Sequence, residues 1–266
     1  MNESTRVAYV YCLVDSPARL TAARGPAGIP GASRPRPVHI MGTLWMIAAD
    51  APAAVYGEDA LPANLRSLEW VSEVAVAHEA VVEHFARRRN ATVVPMKLLT
   101  LFTSEERARA ELRRRRRAIA AAVRRIAGCE EWGVRIFPEP AREGKARDRR
   151  RPASPDSMSG TAFLAARKAA RESGQAVRAG AVAAAAEAYD ELSACARASR
   201  QRPRTAEPGA NPPLLDAAFL VVGRSSATFK ATARRQAKAC AEAGARMTLS
   251  GPWPAYNFAG DTGETA

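Results

Sequence analysis

Residues 214–250, LLDAAFLVVGRSSATFKATARRQAKACAEAGARMTLS, decide the fold of the second half of the chain. They begin with an apolar run over 214–222, which is typical of a buried strand. The spacing then becomes helical over 226–243, with three residues on the inward face: Phe229, Ala233 and Cys240. Gly244 is expected to end this helix, and 245–250 regain strand character. The stretch therefore predicts a strand, a helix and a second strand.

Upstream of this stretch, the sequence predicts further elements of the same domain. A strand is expected over 132–137 and a long Ala-rich helix over about 159–200, bent or broken at Ser173-Gly174. The apolar stripe of that helix is Phe163, Ala166, Ala170, Val177, Ala181, Ala184, Ala188, Leu192 and Cys195. The resulting order, β-α-α-β-α-β, suggests a ferredoxin-like α/β sandwich. This second domain is expected to span 131–266, with a Pro/Arg-rich linker or insertion at 138–157.

The first half, residues 1–130, is expected to form another ferredoxin-like domain. The predicted elements are a strand at 6–14, a loop at 16–37, two strands within 38–48, a helix from 65 to 89 and a strand at 92–96. Thr103-Ser104-Glu105-Glu106 matches a capping box, with the hydroxyl at the cap and Glu three residues later. It opens a helix with Ala108, Leu112, Ile119, Val123 and Ile126 on one face. The fold class is therefore α+β, with two ferredoxin-like α/β sandwich domains and long Ala-rich helices.

The composition is that of a basic globular protein. Forty Lys and Arg residues face 27 Asp and Glu residues, which gives a net charge of +13. Such a chain attracts polyanions, so nucleic acid is a candidate partner. The predominance of Arg and Ala also fits a GC-rich coding background. Four scattered cysteines and the absence of a leader or an apolar run of about 20 residues favour a cytoplasmic protein with reduced thiols.

The sequence offers little catalytic chemistry. His78 and His84 are six residues apart, whereas a zinc-binding helix needs two His residues four apart on one face. Gly25, Gly28 and Gly31 lack the strand-turn-helix context of a phosphate loop, and no G-x-S-x-G elbow is present. We therefore expect no enzyme activity, no metal and no cofactor.

Five consecutive arginines, Arg113–Arg117, are the strongest indication of nucleic-acid binding. Successive helical residues step by about 100°, so the run covers the whole circumference instead of one stripe. Arg115 or Arg116 is expected to lie near the apolar face with its guanidinium reaching water. Without aromatic residues for base stacking, a solvated or protein-facing surface is favoured. A basic nucleic-acid-binding protein remains the alternative function.

The closing motif Gly251-Pro252-Trp253-Pro254 ends a strand, because proline cannot donate to a sheet ladder. Two roles are open for the aromatic residues Trp253, Tyr256 and Phe258. They can fold back as a lid on the core of the second domain. They are also the candidate partner-binding residues, since exposed aromatic side chains often anchor protein interfaces.

Several segments in the same order resemble one family, the gas vesicle accessory proteins GvpL/GvpF. The matching segments are YVY (9–11), HEAVVE (78–83), VVPMK (93–97), LFTSEE (101–106), EWGVRI (131–136), AAFLV (217–221) and LSGPWPAYNF (249–258). One departure follows Pro95-Met96, where the family usually has Arg-Phe-Gly-Thr and this chain has Lys97-Leu98-Leu99-Thr100.

The resemblance implies a cytoplasmic protein that takes part in gas vesicle assembly. Its partners would be the small hydrophobic shell protein, held in a chaperone-like manner before it joins the vesicle wall, and other gas vesicle accessory proteins. The protein would also be a minor component of the vesicle. The resemblance implies no cofactor, no catalytic residue, no membrane and no specific nucleic acid, and it leaves the oligomeric state open.

Overall fold

The computed structural model describes residues 6–21, 25–139, 160–205 and 211–260. The chain divides into two units. The first takes in the chain up to Glu131 together with the residues from Pro252 onward, and the second is Trp132–Gly251. This division differs from the expected domains at the end of the chain, because 252–260 pack with the first unit.

The first unit is built on an antiparallel sheet. Its strands are β1 (Arg6–Asp15), β2 (Arg36–Met41), β3 (Leu44–Pro52), β4 (Thr92–Pro95) and β5 (Leu101–Phe102). The strand order is β2-β3-β1-β4, and β5 also pairs with β1. The helices are α1 (Ala53–Tyr56), α2 (Leu61–Asn64), α3 (Leu68–Ala86), α4 (Glu105–Arg114) and α5 (Arg116–Ile126).

Strand β1 occupies the middle of this sheet because its sequence can be buried on both faces. Every residue from Ala8 to Val14 is buried, and the run is rich in aromatic and β-branched residues, which favour strands. Its partner β3 pairs with it from Arg6↔Pro52 to Asp15↔Leu44.

Two helices of the first unit, α3 and α4, begin at serine caps. The Ser67 hydroxyl accepts a hydrogen bond from the Trp70 N–H at 3.3 Å, and the Ser104 hydroxyl accepts one from Arg107 N–H at 3.2 Å. The cap of α4 is therefore Ser104, one residue later than the capping box predicts. The expected single helix is also interrupted at Arg115, which separates α4 from α5.

The second unit carries another sheet and two long helices. Its elements are β6 (Cys129–Pro138), α6 (Gly160–Ala194), β7 (Ala198–Gln201), β8 (Leu215–Val222), α7 (Ser226–Glu242) and β9 (Ala245–Trp253). The strand order is β7-β8-β6-β9. The core is formed mainly by Trp132, Val134, Ile136, Leu192, Phe219, Val221, Phe229, Ala233 and Cys240. The predicted inward face of α7 is confirmed.

The element order of this unit is β-α-β-β-α-β, so the expected β-α-α-β-α-β is wrong in one element. Strand β7, with the sequence ASRQ, has no apolar alternation and gave no strand signal. Helix α6 continues through Ser173-Gly174 without a break. The alanines on both sides favour a helix strongly enough to outweigh the cost of one glycine, about 1 kcal/mol. The predicted linker at 138–157 lies largely outside the described residues.

Candidate partner-binding surface

The three aromatic candidates of the closing motif occupy different environments. Trp253, at the end of β9, is 42% exposed, whereas Phe258 is buried. Tyr256 packs against the core of the first unit. The expectation that this motif covers the core of the second domain is therefore wrong, because its residues from Pro252 onward belong to the first unit. Of the three candidates, Trp253 is the most exposed and therefore the most accessible to a partner.

A hydrogen bond joins Tyr256 to helix α3. The Tyr256 hydroxyl donates to Oε2 of Glu79 at 2.5 Å. Burial raises the pKa of Glu79, and the bond from Tyr256 partly offsets this effect by stabilising the carboxylate. Burial also raises the pKa of Tyr256, and the adjacent Glu79 carboxylate raises it further. The tyrosine therefore stays protonated and serves as the donor.

Two further contacts hold the closing segment on the first unit. The buried Glu131 carboxylate accepts hydrogen bonds from the backbone N–H of Asn257, at 2.8 Å, and from its side-chain amide. Nε of Arg125 donates to the carbonyl oxygen of Phe258 at 2.7 Å. Residues 256–258 are thus integrated into the first unit by both side-chain and backbone contacts.

His78 lies buried in the first unit and contacts Tyr9. The Tyr9 hydroxyl accepts a hydrogen bond from Leu99 N–H at 3.3 Å and lies 2.9 Å from Nδ1 of His78. The tyrosine proton is therefore free to be donated to Nδ1. Burial lowers the pKa of His78 to about 4, so the imidazole is neutral at pH 7.

This neutral histidine should make stability fall in mild acid. Its folded pKa, about 4, lies below the unfolded value of about 6.5, so the unfolded state binds more protons between these values. The stabilisation of the folded state by the neutral imidazole is complete above about pH 6.5. About 2 kcal/mol of this stabilisation should be lost by pH 5. We expect His78→Gln to flatten this loss, measured as the difference in unfolding free energy between pH 7 and pH 5. His84→Gln, on the same helix, is the control, and equal slopes in the two variants would contradict the prediction.

Tyrosines of the first unit hold the loop that follows β1. The Tyr11 hydroxyl accepts from Ile29 N–H at 3.0 Å, and the Tyr56 hydroxyl donates to the Pro30 carbonyl at 2.9 Å. Gly28 has φ +86°, and a Cβ at this position would lie 2.5 Å from the Tyr11 hydroxyl. The loop therefore needs glycine both for its backbone conformation and for space.

Gly28→Ala should lower the unfolding free energy by about 2 kcal/mol, from a strained backbone and a side-chain clash together. Gly42, in the turn between β2 and β3, is the matched control. It has φ +52°, but a Cβ there meets nothing within 4 Å. Gly42→Ala should therefore cost only about 1 kcal/mol, from the backbone alone. Urea denaturation measures both, and an equal loss would show that the contact with Tyr11 does not matter.

Helix α3 leaves large apolar side chains in solvent. Leu68 is 80% exposed and Val76 is 72% exposed. Val76 also lines a shallow apolar groove with Pro26, Ala27, Ala77 and Ala80. The three- and four-residue spacing of the apolar positions predicts one buried stripe that begins with Leu65 and Leu68, but both of these residues are exposed.

The reason is the helical register. The buried residues of α3 are Val74, His78, Val81, Val82 and Phe85. At about 100° per residue, Leu68 lies roughly 95° from the centre of that face, and Val76 lies roughly opposite to it. The exposed position of Val76 could have been found from this register, because an apolar residue opposite the core face is unusual.

The arginine run at 113–117 is partly neutralised within its own helices. Arg114 and Arg115 pair with Glu111, and Nε of Arg113 donates to the Ile40 carbonyl at 3.2 Å. The Arg115 side chain is 21% exposed, which agrees with the expectation that Arg115 or Arg116 approaches the apolar face. The run therefore does not form one continuous basic stripe.

Helix α6 is buried only in its C-terminal half. Its first buried described side chain is Ala181, and Val177 approaches Gly244. Before Val177, every described side chain of the helix is exposed, including Phe163 and Leu164 at 57% and 64%. The predicted stripe is therefore core only from Ala181 onward. We call residues 161–176 the α6 arm.

No group of three or more potential metal-ligating side chains occurs among the residues that the structure describes. Within the same residues, no helix is long and apolar enough to cross a membrane.

Comparison with known proteins identifies the family. The family model described as "Gas vesicle synthesis protein GvpL/GvpF" matches residues 7–260. The chain belongs to the GvpL/GvpF family. Gas vesicle protein L of Streptomyces sp. (strain CB03234) is 32% identical over 260 residues, which cover 96% of this chain and 93% of that protein. Membership gives this GvpL/GvpF protein a role connected with gas vesicles, in a family that is not known as an enzyme family.

Two solved GvpF structures share the fold. The crystal structure of GvpF from Anabaena sp. PCC7120 superposes with a TM-score of 0.59 at 16% identity and covers 96% of both chains. GvpF from Microcystis aeruginosa gives a TM-score of 0.55 at 14% identity, over 95% of this chain and 98% of that one. The mixed α and β architecture with antiparallel sheets is therefore that of GvpL/GvpF proteins.

The departure from the GvpL/GvpF pattern after Pro95-Met96 coincides with an unusual backbone conformation. Leu99 stands at the position where the resemblance leads us to expect glycine, and its φ is +61°. The left-handed conformation costs a leucine about 1–2 kcal/mol. It is held by the bond from Leu99 N–H to Tyr9 and by that from Thr100 N–H to the Lys97 carbonyl, at 3.2 Å. The loop thus keeps a glycine-like backbone without glycine.

Proposed function

We propose that this protein is a cytoplasmic gas vesicle assembly factor that binds the hydrophobic shell protein in a chaperone-like manner. We further propose that it contacts other gas vesicle accessory proteins and stays on the vesicle as a minor component. The observation that carries the proposal is the exposure of large apolar side chains on two helices, at Leu68 and Val76 of α3 and at Phe163 and Leu164 of the α6 arm. A subunit with an apolar face aggregates until that face is covered, and exposed apolar helix surfaces can cover it.

We also infer that both units are ferredoxin-like domains. The second unit supports this by its β-α-β-β-α-β order and its strand order β7-β8-β6-β9. In the first unit the order β2-β3-β1-β4 is equivalent, and the described residues between β1 and β2, 16–21 and 25–35, form a loop where the first helix of that pattern would be.

Co-expression with the shell protein tests the proposed function. The shell protein should become more soluble and should co-purify with this chain through a tag on the chain. The double variant Leu68→Asp, Val76→Asp is the matched comparison, because both side chains are exposed and the fold should survive. Equal precipitation of the shell protein with and without the chain would rule out the proposal. DNA binding that persists near physiological salt, without capture of the shell protein, would favour the nucleic-acid alternative.

A further inference from the structure

The α6 arm lacks the packing that usually stabilises a helix in a protein. It is about 24 Å long at 1.5 Å per residue, and its described side chains are exposed throughout. A Cβ on Gly174, within the arm, would meet nothing within 4 Å. Helices in proteins gain most of their stability from packing an apolar face. A helix of this length with an exposed Phe and Leu is therefore a surface without its partner.

The arm has the spacing of a helix-packing seam. Phe163, Ala166 and Ser173 of the arm, together with Val177 just after it, recur at intervals that follow a heptad pattern. The seam has a bulky residue at its start and small residues after it, which allow a second helix to approach closely. Phe163 and Leu164 are adjacent in sequence and provide the largest apolar surface of the arm.

A basic row begins beside the seam at Arg167 and turns away from the seam towards Arg171. Arg167 is four residues after Phe163, and Arg171 is four residues after Arg167, so the three lie along one side of the helix. Both arginines are exposed, and neither forms an ion pair with a described residue. Within the arm, Lys168 forms an ion pair with Glu172 at 3.9 Å. Two unneutralised guanidinium groups beside an apolar seam favour a partner that carries carboxylates along the matching side.

From this arrangement we propose that the α6 arm docks an amphipathic helix with an acidic flank on a partner protein. The inference rests on the proposed function, since it names the surface through which an assembly factor holds a gas vesicle protein. The partner helix packs its bulky apolar residues on the seam and places Glu or Asp opposite Arg167 and Arg171.

The charges of the arm and of the whole chain also argue against other molecules that could cover the arm. A second copy of this chain would bring the same arginines against each other, and the whole chain carries +13. Residues 140–159 contain six basic and three acidic residues and one large apolar residue, Met158, so their composition offers neither the acidic charge nor the apolar side chains that the arm would need. An anionic membrane surface would need a broader apolar face than Phe163 and Leu164 provide.

Two synthetic peptides test the proposal. They share one apolar heptad seam and differ at the flanking positions, which are Glu in one peptide and Lys in the other. Binding to the full chain is measured by fluorescence anisotropy at low and physiological salt. We expect the Glu peptide to bind at least tenfold more tightly than the Lys peptide, with a preference that weakens as salt rises. Equal binding of the two peptides, or binding of neither, would overturn the proposal.

Matched variants locate the binding to the arm. Arg167→Glu with Arg171→Glu should reverse the preference between the peptides. Lys168→Glu, on the face of the helix opposite the seam, should leave it unchanged. Phe163→Ala should weaken the binding of both peptides about tenfold. The substitution should preserve the helix, because alanine is the best helix former. If Phe163→Ala left the affinity for the Glu peptide unaltered, the peptide would bind elsewhere on the chain. That result would overturn the proposal.

Two further measurements test the excluded occupants and separate this inference from the proposed function. Self-association of the chain, measured by sedimentation, overturns the inference if Phe163→Ala abolishes that self-association. Binding to phosphatidylserine vesicles that is tighter than binding to the Glu peptide also overturns it, if Phe163→Ala abolishes the vesicle binding. In co-expression, a shell protein that stays equally soluble with the original chain and with Phe163→Ala overturns the inference and leaves the proposed function standing. A shell protein that precipitates with both rules out the proposed function, and the peptide preference then decides the inference alone.

Discussion

Replacing Phe219 with alanine should lower the unfolding free energy of the second unit by about 3–5 kcal/mol. Phe219 is fully buried in β8, and its ring lies 5.5 Å from that of Phe229 and 5.7 Å from that of Tyr189. Alanine leaves a cavity between the sheet and both long helices and removes two ring contacts, each worth about 0.5–1.5 kcal/mol beyond burial. Urea denaturation followed by circular dichroism measures the loss.

The same substitution at Phe163 provides the control. Phe163 lies in the exposed α6 arm, so Phe163→Ala should change the unfolding free energy by no more than about 0.5 kcal/mol. If both substitutions were equally costly, Phe163 would have to be packed in the free protein. The arm could then not be an unpartnered surface, and its proposed docking role would fail as well.

Replacing Tyr256 with alanine should destabilise the first unit by about 3 kcal/mol. The ring packs against the core of that unit, and its loss removes part of the apolar burial, worth about 1.5–3 kcal/mol for a large side chain. The hydroxyl also donates to the Glu79 carboxylate, and a hydrogen bond to a charged group contributes about 1.5–3 kcal/mol. The change in urea midpoint reports the loss.

Trp253→Ala is the matched control within the same segment. Trp253 is 42% exposed, so its truncation should cost less than about 1 kcal/mol in the free protein. The two variants also separate folding from binding. Trp253→Ala should affect capture of a gas vesicle partner if this ring contacts it, whereas Tyr256→Ala should act through stability. A greater loss of stability from Trp253→Ala than from Tyr256→Ala would contradict the observed packing.

Most of the fold could be predicted from local patterns. Strand β1 and helix α7 each carry a strong periodic signal, and the predicted inward residues Phe229 and Cys240 are buried. Strand β7 could not be predicted, because ASRQ is polar and gains its strand conformation only by pairing with β8. Local patterns specify single elements, whereas an edge strand depends on its neighbour.

The candidate surface was harder to predict. The pattern of α6 is the same along its length, so nothing local shows that the stripe is core from Ala181 and exposed before Val177. The point at which a helix stops being buried depends on how far the sheet beneath it extends. Likewise, Tyr256 could be recognised as an aromatic anchor, but its partner Glu79 is 177 residues away in sequence. Contacts of that range leave no periodic signal.

The return of residues 252–260 to the first unit affects the order of events during synthesis. The first unit includes both Glu131 and its partner Asn257, and the ribosome must translate all of 132–251 between them. At about 5–20 residues per second this takes about 6–24 s. Through that interval the nascent first unit lacks the Tyr256 ring and the contacts of Glu131 and Arg125. A gas vesicle partner that meets the chain on the ribosome therefore meets a first unit that is still incomplete.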